Sequence, residues 1–141
     1  MPTRHASAIW EGGLQKGKGS FSTESGAVSA PYSFGSRFEQ AKGSNPEELL
    51  AAAEAACFSM ALAVGLEQAG TPATRIETSA ACTIEKQSAG FAITGIKLTV
   101  RATVPGIDAA KFKGAAETTK EQCPVSKALK AVPIELDAQL A

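Results

Sequence analysis

The stretch from Ser44 to Pro72 constrains this chain more than any other. Ser44-Asn45-Pro46-Glu47-Glu48 brings together an N-cap residue, a proline suited to the first helical position and two acidic residues. That combination satisfies free backbone N–H groups and complements the positive end of a helix dipole. At the other end, Gly70-Thr71-Pro72 halts the helix, because glycine accepts a left-handed conformation and proline cannot continue the hydrogen-bond ladder. The spacing therefore predicts a helix from Pro46 to residue 68 or 69. Leu49, Ala53, Cys57, Met60 and Val64 fall on one stripe of it, while Leu50, Phe58, Leu62 and Leu66 make the flanks apolar too. A helix apolar on nearly every side is expected to be central and buried.

The flanking sequence has a shorter period. Residues 7–40 alternate polar with apolar or aromatic positions around Gly12-Gly13, Gly17, Gly19 and Gly26, which predicts an antiparallel meander. Residues 75–104 alternate again, with a break at Gln87-Ser88-Ala89-Gly90 that predicts a long hairpin. Asp108 is placed to cap a helix that continues to about residue 121, and Cys123-Pro124 interrupts it, since a residue before proline avoids the helical region. A short helix over 124–130 and a last strand over 133–140 complete the chain. The expected fold class is α+β, with antiparallel sheets around the long helix, in one domain over 1–141.

Charge narrows the partners. Fourteen basic residues balance fourteen acidic ones, so no positive field gathers nucleic acid or an anionic membrane surface. Small molecules or proteins are the expected partners. Met1-Pro2-Thr3-Arg4-His5 leads into no apolar run, and no segment is expected to reach the ~20 apolar residues of a membrane helix. The expected location is the cytoplasm.

Three cysteines without a short-spaced pair fit neither a disulfide scaffold nor a zinc knuckle. Each therefore has either a packing role or a chemical one. Cys57 lies about three turns into the long helix, where a lone cysteine is usually a small core residue. It is too far from the helix start to use the dipole, and burial raises a thiol's pKa, so a reactive Cys57 would need a cationic neighbour. Cys123 precedes Pro124 at the expected N-cap of a short helix, a setting that favours a thiolate, although a turn residue is equally compatible. Cys82, between Ala81 and Thr83, reads as packing. The sole histidine, His5, is close to the first residue, which leaves little basis for a histidine triad or metal site. Of the four arginines, Arg37 is the one set among aromatics, in Phe34-Gly35-Ser36-Arg37-Phe38, where it reads equally as a surface cation.

Three segments carry a resemblance to a known family: Gly43-Ser44-Asn45-Pro46-Glu47-Glu48-Leu49-Leu50, Ala55-Ala56-Cys57-Phe58-Ser59-Met60-Ala61-Leu62 and Cys123-Pro124-Val125-Ser126. They resemble the OsmC/Ohr family, and more its OsmC branch, osmotically inducible protein C. Trp10-Glu11-Gly12, Arg37-Phe38-Glu39, Gly90-Phe91-Ala92-Ile93-Thr94 and Val104-Pro105-Gly106-Ile107-Asp108 extend the likeness along essentially the whole chain. The resemblance implies an OsmC-like fold, an intertwined two-fold homodimer, and a cytoplasmic thiol peroxidase active on organic hydroperoxides and more weakly on hydrogen peroxide. It implies no cofactor or metal, and a thiol or dithiol as external reductant. Cys57 corresponds to the family's peroxidatic cysteine and Cys123 to the resolving cysteine that closes a disulfide with it. Arg37 corresponds to the arginine that stabilises the thiolate, and Glu47 to the carboxylate that holds this arginine.

Helix geometry adds one expectation. Glu47 and Cys57 are ten residues apart, hence ~15 Å along one straight helix, so a shared first shell would need two helices packed antiparallel about a two-fold axis. One position departs from the family pattern: Glu54 stands one turn before Cys57, where OsmC proteins more often carry histidine. It would oppose the thiolate if it faced the same site, or else point to solvent or pair with a lysine. Two rival readings of the cysteines are a redox sensor or binding module that switches without turnover, and a hydrolase with Cys57 as nucleophile.

Overall fold

In the computed structural model, which describes residues 1–141, the chain runs β1 (Ala6–Glu11), β2 (Lys18–Thr23), β3 (Ser29–Tyr32), α1 (Phe34–Phe38), α2 (Pro46–Gln68), β4 (Arg75–Gln87), β5 (Gly90–Thr103), α3 (Ala109–Gln122), α4 (Pro124–Ala128) and β6 (Ile134–Leu140). It divides into two compact units, Met1–Leu49 and Leu50–Ala141, each with a three-stranded sheet.

In the first unit β1, β2 and β3 form an antiparallel meander, with Trp10 opposite Gly19 and Gly19 opposite Tyr32. A Cβ on Gly19 would lie 2.5 Å from the Tyr32 ring. The missing side chain lets Tyr32 cross β2, where its ring centroid lies 5.3 Å from that of Trp10 and 5.8 Å from that of Phe21. Strand structure does not continue to residue 40 as the alternation predicts, because Phe34–Phe38 forms α1. Ser33 Oγ accepts the Ser36 N–H and Ser36 Oγ accepts the Ser33 N–H, a reciprocal capping box built from two serines. Asn45 then starts α2: its Oδ1 accepts the Glu48 N–H, and its Nδ2 donates to the Ser36 carbonyl. One asparagine thus ties the beginning of α2 to α1.

In the second unit β4 and β5 form the long antiparallel hairpin, with a register shift between Thr83 and Ile84. β6 pairs with β5 in parallel, Leu98 opposite Leu136, which corrects the expectation of antiparallel sheets throughout. A parallel pair needs a long crossover, and α3 and α4 supply it. Asp108 caps α3 by accepting the Lys111 N–H at 2.8 Å. On the exposed side of the parallel pair, Arg101 bridges to Asp137 at 3.1 Å, and this hydrogen-bonded guanidinium, followed by Gln139, holds the Asp137 carboxyl below its ordinary range.

Phe58, Leu62 and Leu66 of α2 join Leu98, Val100 and Ala102 of β5 and Phe112 and Ala116 of α3 in one core. The helix ends where Gly70 takes φ +83° and the Thr71 N–H reaches back to the Leu66 carbonyl. Two expectations about α2 are corrected. Its buried stripe is Glu54, Phe58, Leu62 and Leu66, whereas Met60 is 74% and Val64 50% exposed, so the helix is not enclosed all round by its own chain. By length and composition it is also apolar enough to cross a membrane, against the expectation that no segment is; here its core-facing side carries the buried Glu54 and the packed phenylalanine and leucines. Phe58 is fully buried in that cluster. Phe58→Ala is therefore expected to cost ~3–5 kcal/mol through lost contacts and a residual cavity, read as a lower urea midpoint at unchanged slope.

Candidate active site

The second unit brings together two of the predicted site residues from 66 positions apart in the sequence: Cys57 on the middle of α2 and Cys123 between α3 and α4. Cys123 Sγ donates to Cys57 Sγ at 3.0 Å, about 1 Å longer than a covalent S–S bond. Cys123 is fully buried and Cys57 partly so. Cys123 closes α3 through its N–H, bonded to the Thr119 carbonyl, and stands at the N-cap of α4. Its side chain makes no cap hydrogen bond there. The N–H of Val125, in the first turn of α4, instead donates to the Cys57 sulfur and favours its thiolate.

Burial pushes the Cys57 thiol above its ordinary range. The Cys123 hydrogen bond adds to the push; the Val125 N–H works against it, and the nearby Cys123 and Glu54 raise it further. No cation appears among these influences.

The other two predicted site residues meet in the first unit. Arg37 Nη2 lies 2.8 Å from Glu47 Oε1, and Arg37 Nε donates to both carboxylate oxygens at 3.2 Å. Such a two-nitrogen fork fixes the guanidinium plane. Glu47 is buried and the Arg37 side chain about one-third exposed. The Phe38 ring lies under the guanidinium, 5.2 Å from Cζ to centroid. Trp10, Leu14, Tyr32, Phe34 and Phe38 line an open cavity of ≈ 200 Å³ beside Arg37.

Glu54 corrects both alternatives considered for it, solvent exposure and a lysine pair. It is fully buried, its Oε1 accepts a short hydrogen bond from Ser126 Oγ, and its Oε2 has no hydrogen-bond partner. Ser126, the last residue of the Cys123-Pro124-Val125-Ser126 segment, escaped notice in the sequence, as did the Trp10 and Tyr32 walls of the cavity. Only the aromatics flanking Arg37 signalled it. Cys82 stands mid-strand in β4 opposite Ile96. No three His, Cys, Asp or Glu side chains converge as metal ligands would.

The six-stranded α+β chain with a close pair of thiols falls in the class that comparison with known proteins gives it, the peroxiredoxin-like peroxidases. A family model described as OsmC-like protein matches residues 39–137, a span that includes Glu47, Cys57 and Cys123 and begins two residues after Arg37. The chain is 54% identical over 134 residues to "Peroxiredoxin OsmC" of Escherichia coli (strain K12), covering 94% of this chain and 93% of that protein, and the same figures hold for "Peroxiredoxin OsmC" of Shigella flexneri. The chain belongs to the OsmC family. Its fold is shared by an organic hydroperoxide resistance protein OsmC of Legionella pneumophila, with TM-score 0.75 and 21% identity over 96% of both chains. It is shared also by OhrB of Bacillus subtilis, with TM-score 0.72 and 24% identity over 97% of this chain and 98% of that one.

Proposed function

We propose that this protein reduces organic hydroperoxides to alcohols with Cys57 as nucleophile and Cys123 as resolving thiol. That it is a peroxiredoxin-like peroxidase rests on its 54% identity to curated peroxiredoxins across 94% of the chain. The observation that carries the chemistry is the 3.0 Å separation of two sulfurs that no disulfide joins. The Cys57 thiolate attacks the terminal peroxide oxygen, the O–O bond breaks, and the alkoxide leaves as alcohol after taking a proton. Cys57 is now a sulfenic acid. Cys123 attacks its sulfur, water leaves, and a Cys57–Cys123 disulfide remains. An external dithiol returns both thiols by exchange and is itself oxidised to a disulfide.

The aromatic cavity beside Arg37 supports a bulky organic peroxide over hydrogen peroxide, because an apolar group gains by leaving water there. Two copies complete the site in this reading. The cation that Cys57 lacks is Arg37, held by Glu47, presented from a partner whose α2 packs antiparallel against the exposed stripe of Leu49, Met60 and Val64. A soluble, cytoplasmic role in oxidative or osmotic stress defence fits such an enzyme.

The test is consumption of cumene hydroperoxide by the intact protein with excess dithiothreitol, alongside its mass by sedimentation. Many equivalents of peroxide consumed per chain and the mass of two chains are expected. Oxidation that stops after one equivalent would make the cysteines a sensor instead.

A further inference from the structure

The Cys123-Pro124-Val125-Ser126 turn reaches α2 through three contacts: Cys123 Sγ and the Val125 N–H on Cys57, and Ser126 Oγ on Glu54 one helical turn earlier. The chemistry proposed above disturbs the first two. Once Cys57 carries a sulfenic oxygen, its sulfur no longer receives the Cys123 and Val125 hydrogens in the same way. The Ser126–Glu54 hydrogen bond involves no reacting atom and persists. Both partners are buried, Glu54 completely and Ser126 at 3% exposure, so water does not compete for the bond.

The rest of Glu54 argues against a packing role. A buried carboxyl oxygen without a partner is costly, and native proteins rarely retain one without a use for the group. Here Oε2 is such an oxygen, in a stripe whose other members are Phe58, Leu62 and Leu66. Glu54 also raises the Cys57 thiol, which works against the first chemical step. A benefit at another step accounts for its presence.

Building on the peroxidase reading, we propose that Glu54 is a positioning residue for disulfide closure: through Ser126 it keeps the Cys123 turn docked on α2 while Cys57 is a sulfenic acid. The competing fate of that intermediate is attack on a second hydroperoxide, in which the sulfur gains another oxygen as sulfinic acid and a second alcohol leaves. Glu54 thereby biases the sulfenic acid toward the disulfide.

The experiment mixes reduced, intact protein with cumene hydroperoxide. Samples are quenched over time with dimedone for sulfenic acid and N-ethylmaleimide for free thiol, and disulfide and sulfinic acid are read by intact mass. In Ser126→Ala and in Glu54→Leu, which keeps the volume but removes the acceptor, closure should slow about tenfold, as loss of one buried hydrogen bond implies, with a larger sulfinic share. Sulfenic acid formation should stay within about threefold of native in Ser126→Ala and be no slower than native in Glu54→Leu, where a group that raises the Cys57 thiol is gone, and the double variant should close no more slowly than the slower single one. Glu54→Gln retains an acceptor and should restore near-native partition. Unchanged closure in both Ser126→Ala and Glu54→Leu, equal slowing of both steps, or a Glu54→Gln as slow as Glu54→Leu would each overturn the proposal. A native protein that forms neither sulfenic acid nor disulfide would instead remove the peroxidase reading on which it rests.

Discussion

Cys57→Ser is expected to lower hydroperoxide turnover by ~10³-fold or more, the scale seen when a covalent nucleophile is removed. A serine hydroxyl is not ionised at neutral pH and offers no sulfur to accept the peroxide oxygen. The substitution is nearly isosteric, and Cys57 stands beside the core cluster rather than in it, so folding should survive; circular dichroism and the urea midpoint check this. Cys123→Ser separates the two thiols' roles. It should form sulfenic acid in the first turnover, then accumulate sulfinic acid as peroxide is added. Initial turnover in excess dithiothreitol would persist in part, because the small dithiol can attack the sulfenic acid directly. If Cys57→Ser kept turnover and Cys123→Ser abolished it, the two roles would have to be exchanged.

The sequence carried the long helix plainly because both of its ends are marked by chemistry that works locally: Asn45 and Pro46 at one, Gly70 at the other. The hairpin was legible for the same reason, alternation over many residues with a turn in between. Three features were not. Whether β6 runs parallel to β5 depends on how the α3–α4 crossover returns, and alternation is identical in both orientations. α1 hid behind aromatic alternation, since its capping box uses Ser36 where glutamate or glutamine is the usual signal. The core face of α2 was misread because alanines and methionine made several stripes look equally apolar; the bulky Phe58, Leu62 and Leu66, not the Cys57 stripe, face the sheet. For the site, family likeness pointed to Cys57, Cys123, Arg37 and Glu47, and folding places them as two pairs. What no local pattern conveys is that Glu54 and Ser126, 72 positions apart, meet in the interior.

Arg37→Ala is expected to reduce turnover ~10²-fold near neutral pH, the effect of withdrawing a fixed cation from a developing anion. The sign of its pH dependence follows from Cys57. Burial, the Cys123 hydrogen bond and Glu54 all hold that thiol above its ordinary range, against the single opposing Val125 N–H. An acid whose pKa is raised is protonated at neutral pH, and its reactive thiolate grows as pH rises. In the proposed two-copy site the arginine opposes that push, so the native rate should depend less steeply on pH. Without it, the rate should climb about tenfold per pH unit between about pH 7 and pH 9, recovering much of the loss. Arg37→Lys should recover less than its charge suggests, because an ammonium cannot reproduce the fork that Nε and Nη2 make with Glu47. A stopped-flow pH profile of the oxidation step, followed by cysteine alkylation, decides the matter. A steep limb in Arg37→Ala assigns the arginine to the thiolate; an equal loss at every pH would assign it to the peroxide oxygens instead, and native activity would remove it from the site.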